Sequence, residues 1–202
     1  MLKLLDDPIS GNGYKARLLL ALLETPYEYV AYDILKSETR TPEFLRINPN
    51  GRIPVLILED GTALPESNAI LHYLATGTPY LPASRLNHAQ VLQWMFFEQY
   101  SHEPNIATLR FWTHLPGLDE VQKVQLPGKR ANGIAALTLM NDHLSTNDWF
   151  VAGAPSIADI ALFAYTHVAD EGGFNLADFP AVEAWIARIQ GLPGFVPMAM
   201  AH

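Results

Sequence analysis

The chain of 202 residues contains no cysteine. That removes disulfides, zinc–thiolate centres and any thiol nucleophile supplied by the protein itself. It also fits a reducing, cytoplasmic setting. No segment approaches 18 uncharged apolar residues, so no membrane span is expected. The first residues, Met1-Leu2-Lys3-Leu4-Leu5-Asp6-Asp7, lack an apolar region long enough for a signal peptide. The net charge is −8, with no basic run. Nucleic acid and anionic membrane are therefore excluded as expected partners. The seven histidines show no ligand spacing such as HExxH, and no GxGxxG or phosphate-binding loop occurs. No metal site is expected.

What is present is an ordinary globular composition, 49% hydrophobic and 17% charged. Leu2 to Leu5 reads as a short strand. Ser10-Gly11-Asn12-Gly13 is a loop of capping residues, with Ser10 or Asn12 the expected N-cap of a helix over Tyr14 to Glu24. Tyr27 to Ile34 reads as a strand. Thr41-Pro42-Glu43 has the form of a helix start, with Pro at the first helical position.

The stretch Asn48 to Ala75 organises the chain. Val55 to Leu58 suits a buried strand. Asp60-Gly61 is a hairpin signal, because Gly supplies the positive φ that the favoured turns need. Thr62 to Leu64 would be the return strand, stopped by Pro65. Glu66-Ser67-Asn68 then leads into an apolar helix from Ala69 to Leu74. A Glu and a Ser at a strand-to-helix corner, with helix N–H groups nearby, suit an anion.

Thr76 to Pro82 is linker-like, and no strand pattern follows it. His88 to Leu115 reads as a long helix with a bend at Glu103-Pro104. Lys123 to Leu144 reads as another, with Leu126-Pro127-Gly128 as a possible interruption. Ser156 and Asp159 have capping-box spacing before a buried helix, so Asp159 is read as structural. Pro180 to Gln190 is a further helix, closed by Gly191.

The run Asn48-Pro49-Asn50-Gly51-Arg52-Ile53-Pro54-Val55-Leu56, followed by the Glu66-Ser67 corner, resembles the cytosolic glutathione S-transferases of bacterial type. The resemblance covers nearly the whole chain in order and spacing. It implies an α+β/α architecture. A thioredoxin-like glutathione-binding domain (β-α-β-α-β-β-α) spans residues 1–76, a linker 77–83, and an all-α helical bundle 84–202. It implies a cis Ile53–Pro54 bond, with the main chain of Ile53 facing the cysteinyl unit of glutathione. Glu66 and Ser67 take the γ-glutamyl end.

In that family a Tyr, Ser or Cys beside the sulfur stabilises the thiolate. The first strand here has no Tyr and the chain no Cys. Ser10 therefore matches a serine-type position, with Asn12 as a second donor. Tyr14 is a competing hydroxyl, although its place predicts packing along the helix. Arg52 or Arg40 would meet the glycyl end. Tyr100, Arg110, Phe111 and Trp112 would line a pocket for the second substrate.

The implied activity is attack of the glutathione thiolate on small hydrophobic electrophiles, with no cofactor beyond glutathione as substrate. Two readings stand beside it. One is a glutathione-dependent disulfide reductase or peroxidase. The other is a non-catalytic ligand carrier or regulatory module. The family also implies a homodimer.

Overall fold

The computed structural model describes Met1 to Met198. Two compact units result. One comprises Met1–Thr76 together with the chain from Leu192, and the other Gly77–Gly191.

The first unit is built on four strands: β1 (Leu2–Asp6), β2 (Tyr27–Ala31), β3 (Val55–Ile57) and β4 (Ala63–Pro65), in spatial order β2-β1-β3-β4. β1 and β2 are parallel, and β1–β3 and β3–β4 are antiparallel. The parallel pair needs a crossover, which is helix α1 (Gly11–Leu22). Helices α2 (Pro42–Ile47) and α3 (Ser67–Ala75) complete the unit, which has the thioredoxin-like order.

Neighbouring strand residues point to opposite faces. Leu4 and Leu56 accordingly pack with Ala16, Leu20 and Ile70 of α1 and α3. Leu5 and Val55 pack on the other face with Phe44 of α2. Burying each such Leu contributes roughly 2 kcal/mol.

Boundaries differ from the sequence reading in ways that capping explains. α1 starts at Gly11 rather than Tyr14, because Ser10 caps it and draws the glycine-rich loop into the first turn. β2 stops at Ala31, since the Asp33 carboxylate accepts from the N–H groups of Leu35 and Lys36 and turns the chain. β4 runs on to include Pro65, which is tolerated at the end of an edge strand. The tail from Leu192 returns to the first unit. There Tyr14 Oη donates to the Val196 carbonyl at 2.6 Å and Arg17 Nη1 to that of Met198 at 2.8 Å.

The second unit is helical: α4 (Arg85–Phe97), α5 (Glu103–Trp112), α6 (Glu120–Leu144), α7 (Ile157–Thr166) and α8 (Pro180–Gln190). A π-helical turn over Glu98–His102 joins α4 to α5. Pro104 follows it in the first turn of α5. Proline lacks an N–H and crowds the carbonyl four residues back, so the widened turn accommodates it. Pro127 lies inside α6 without ending it. Among the described residues the only β pairing in this unit is an isolated bridge between Val151 and Ala154. α7 is buried on every face. Asp159, almost fully buried, accepts from the N–H groups of Phe150 and Ser156, from Ser156 Oγ and from Trp185 Nε1. Among the described residues no helix is long and apolar enough to cross a membrane.

Candidate active site

Strand register brings three chain segments to one end of the sheet. Leu5 is opposite Val55, and Val55 is opposite Pro65. Continuing those ladders by one residue sets Asp6 beside Pro54, and Pro54 beside Glu66. The end of β1, the start of β3 and the end of β4 are thus neighbours. From them lead the Ser10 loop, the Ile53–Pro54 corner and the Glu66-Ser67 corner.

At the first segment, Ser10 is the N-cap of α1 and is 8% exposed. Its Oγ accepts from Gly13 N–H at 3.1 Å. A hydroxyl can accept and donate at once. The Ser10 O–H proton has no acceptor among the described residues. Ser10 therefore keeps a donor in hand at the positive end of a helix. Tyr14 does not compete for that task. Its ring is fully buried, its hydroxyl is engaged with Val196, and burial pushes its phenol pKa well up.

At the third segment, Glu66 has φ 72° and ψ 111°, a conformation that costs a non-glycine residue about 1–3 kcal/mol. It precedes Ser67, the first residue of α3, which is 6% exposed. Ser67 Oγ donates to Asn12 Oδ1 at 3.2 Å. Lys15 Nζ donates to Ser67 Oγ at 3.3 Å and to Asn68 Oδ1 at 3.4 Å. The first turns of α1 and α3 are thereby joined through the side chains of Asn12, Lys15, Ser67 and Asn68.

At the second segment the Ile53–Pro54 peptide is cis. The preceding loop is held by Asn48, whose Nδ2 donates to the Arg52 carbonyl at 2.7 Å. Arg40 Nη1 donates to the Asn50 carbonyl at 3.1 Å, so its guanidinium is packed along this loop. Gly51, at φ 64°, lies against that guanidinium, in a backbone conformation that favours glycine. Arg52 is exposed.

Tyr100, Arg110 and Trp112 belong to the helical unit. Tyr100 is 88% exposed on the π turn. Arg110 is buried, and its Nε meets Glu171 Oε2 at 2.6 Å. Trp112 is half-buried, with Lys129 Nζ over its ring at 6.0 Å. Phe111 is 39% exposed. Among the described residues no cluster of three or more His, Asp or Glu could hold a metal ion.

Sequence reasoning did not single out Lys15. One signal was available. α1 is apolar all round, and a helix with no polar face is buried on every side. Its two cations, Lys15 and Arg17, must then reach polar partners inside the unit.

The comparisons with known proteins bear on the whole chain. The profile of the glutathione S-transferase N-terminal domain matches residues 1–76, and that of the glutathione S-transferase C-terminal domain residues 123–188. The disulfide-bond oxidoreductase YfcG of Escherichia coli (strain K12) is 31% identical over 192 residues, 90% of this chain and 87% of its own. The crystal structure of a glutathione S-transferase from Pseudomonas fluorescens [Pf-5] is 52% identical, with a TM-score of 0.94 over 98% of each chain. The glutathione transferase URE2P8 from Phanerochaete chrysosporium, solved with oxidized glutathione, is 26% identical. Its TM-score is 0.85 over 96% of this chain and 90% of that one. With both domain profiles matched in order and close relatives covering almost its full length, the chain belongs to the glutathione S-transferase family.

Proposed function

We propose that this protein binds glutathione at the junction of α1 and α3, ionises its thiol, and delivers the thiolate to small hydrophobic electrophiles. The observation that carries this reading is the Ser10 hydroxyl. It caps α1 through its oxygen, while its proton has no acceptor among the described residues. A free cysteine thiol has a pKa near 8.5, so only a few per cent is ionised at neutral pH. Lowering it by ~2 units requires roughly 2.7 kcal/mol of preference for the thiolate. A charge-assisted hydrogen bond contributes ~1.5–3 kcal/mol, and a helix N-terminus ~0.3–1 kcal/mol. One hydroxyl at one helix end is therefore sufficient in size, and Asn12 adds a second donor.

The rest of glutathione follows from chemistry. Its γ-glutamyl carboxylate suits the Ser67 hydroxyl and the N-terminus of α3, and its ammonium suits the Glu66 carboxylate. The main chain of Ile53 pairs with the cysteinyl unit, and Arg52 or Arg40 answers the glycyl carboxylate. In the reaction the thiol proton leaves to solvent. The thiolate then forms an S–C bond, and the electrophile's leaving group departs with the electron pair. Tyr100, Arg110 and Trp112 are the residues proposed for the second substrate. We further propose a cytoplasmic homodimer. The exposed apolar side chains Leu86, Phe96 and Tyr100 support a partner on that stretch.

A second reading is favoured by a specific observation. YfcG is named a disulfide-bond oxidoreductase, and the Phanerochaete relative was solved with oxidized glutathione. With no cysteine in this chain, both thiols would come from glutathione. One thiolate attacks a disulfide sulfur and releases a thiolate. A second resolves the mixed disulfide and leaves oxidised glutathione. Turnover with an activated aryl chloride, beside turnover with a small disulfide, tests the proposal. Faster glutathione-dependent consumption of the aryl chloride supports the transferase reading. Consumption of the disulfide alone replaces it with the reductase, and neither, with no glutathione binding, overturns both.

A further inference from the structure

Arg17 is a buried cation that the proposed chemistry leaves unused. It lies about two turns beyond Ser10 along α1, so both residues share one side of the helix. Helical side chains lean toward the helix N-terminus. The guanidinium accordingly reaches back to the loop from which α1 starts. Its Nη2 donates to the Pro8 carbonyl at 3.1 Å and its Nη1 to the Met198 carbonyl at 2.8 Å, while its Nε stands 3.0 Å from Asp6 Oδ2. One planar fork thus ties together the end of β1, the loop before α1 and the C-terminal tail.

The Pro8 carbonyl lies inside the turn that presents Ser10. Ser10 N–H donates to the Asp7 carbonyl at 2.9 Å, which closes a turn over Asp7-Pro8-Ile9-Ser10. The Asp7 carboxylate accepts from Ile9 N–H at 3.0 Å and from Ile34 N–H at 2.9 Å, and so ties the turn to the chain beyond β2. Arg17 ties it to α1 and the tail. A hydroxyl donor weakens steeply with misalignment, so the seat of this turn decides what Ser10 can do. The tail is docked on α1 twice, by Tyr14 Oη on the Val196 carbonyl at 2.6 Å and by Arg17 on that of Met198. A cation this deeply buried depends on its acceptors, and the Met198 carbonyl is one of them.

We propose that Arg17 is a positioning residue for the Ser10 turn, and that the C-terminal tail is the strap that holds Arg17 in the orientation that grips Pro8. This rests on the reading that Ser10 ionises bound glutathione. Arg17 is 3% exposed and need not touch the substrate. Thiol ionisation should then depend on a segment 181 residues further along the chain.

The test is the pKa of bound glutathione, followed by ultraviolet thiolate absorbance at saturating glutathione, with thermal unfolding in parallel. The full-length proteins are the unaltered chain, Arg17→Lys, Tyr14→Phe, Ser10→Ala and each of the first two variants combined with Ser10→Ala. Arg17→Lys keeps a positive charge beside Asp6, but a single ammonium does not reproduce the fork. Tyr14→Phe loosens the tail at Val196 and leaves Arg17 in place. Arg17→Lys should raise the thiol pKa by about half to one pH unit, and Tyr14→Phe should raise it by less. In the Ser10→Ala background neither should move it further. A purely structural arginine or tail would lower the melting temperature and leave the thiol pKa alone. An unmoved pKa in either variant overturns the proposal, as does a shift that survives in Ser10→Ala. If Arg17→Lys does not fold, Tyr14→Phe carries the test by the same two criteria. No thiolate signal in the unaltered protein would overturn the glutathione reading itself, and an equal thiol pKa with and without Ser10 would remove the Ser10 donor, each taking this inference with it.

Discussion

Gly13 lies directly against the carboxylate of Asp6: a Cβ built at position 13 would overlap both Asp6 Oδ1 and Asp6 Oδ2. The first turn of α1, which carries the Ser10 cap, therefore rests on the end of β1 with no atom to spare.

Gly13→Ala should in consequence fold poorly or displace the first turn of α1. The destabilisation should be at the upper end of the 1–3 kcal/mol typical of overpacking, because the obstructing group is a buried carboxylate on a strand. Thermal unfolding, with the thiol pKa of bound glutathione measured on whatever fraction folds, checks both parts. An unchanged melting temperature would contradict the contact.

Asp6 also predicts a pH dependence. It is fully buried. Arg17 Nε approaches Oδ2 at 3.0 Å, but neither carboxylate oxygen nor that nitrogen has an aligned hydrogen-bond partner. Burial raises its pKa from 3.8 to about 7, outweighing the lowering effects of the Arg17 charge and of the Asp7 backbone N–H. Tyr29 and Tyr27 face the same group from β2. Between about pH 4 and pH 7 the folded chain holds a proton that the unfolded chain has released. Its contribution is complete below the unfolded pKa and is lost as pH rises through the folded one. Stability should fall across that window by up to the order of 4 kcal/mol from this group. Asp6→Asn should flatten the profile when urea unfolding is followed from pH 4.5 to 8. An equally steep profile in the variant would assign the effect elsewhere.

Asp159→Ala should cost about 3–5 kcal/mol. It removes the acceptor of the Phe150 and Ser156 N–H groups and of Trp185 Nε1, all buried, and each unsatisfied donor costs ~1–3 kcal/mol. Glutathione affinity of the folded fraction should hold at low temperature. Lost affinity at normal stability would contradict the structural role.

Glu66→Ala and Ser67→Ala should each weaken glutathione binding about 10- to 100-fold, the scale of a charged hydrogen bond lost. Glu66→Gly is the informative companion. It relieves the positive φ at 66 while removing the carboxylate, so it should gain stability and still lose affinity. Calorimetric titration beside thermal unfolding separates the two. Unchanged affinity in Glu66→Ala would contradict the γ-glutamyl assignment.

Legibility in the sequence followed the range of the interactions. The caps at Ser10, Thr41 and Ser156 involve partners within three residues; Thr41 and Ser156 were readable from spacing, and Ser10 was one of two candidates beside Asn12. The strand at Val55 and the corner at Glu66-Ser67 were readable from turn residues and, for their use, from resemblance. Interactions across 50 residues or more left no local trace of who the partner is. The Lys15–Ser67–Asn12 contact is one such case, and the hold of Tyr14 and Arg17 on Val196 and Met198 is another. The π turn at Glu98–His102 was visible only as a bend near Pro104, because periodicity reports a break and not its form. Arg110 on α5 was read as a pocket residue with no sign of a partner. Its pairing with Glu171, 61 residues later, is again long-range.

The central claim is that Ser10 stabilises the thiolate of bound glutathione. The most direct test is a pH titration of thiolate absorbance at saturating glutathione, for the unaltered protein and for Ser10→Ala. The account predicts a bound thiol pKa about 2 units below the free value near 8.5, and a rise of a unit or more in Ser10→Ala with affinity nearly kept. An identical thiol pKa in the two proteins would contradict it.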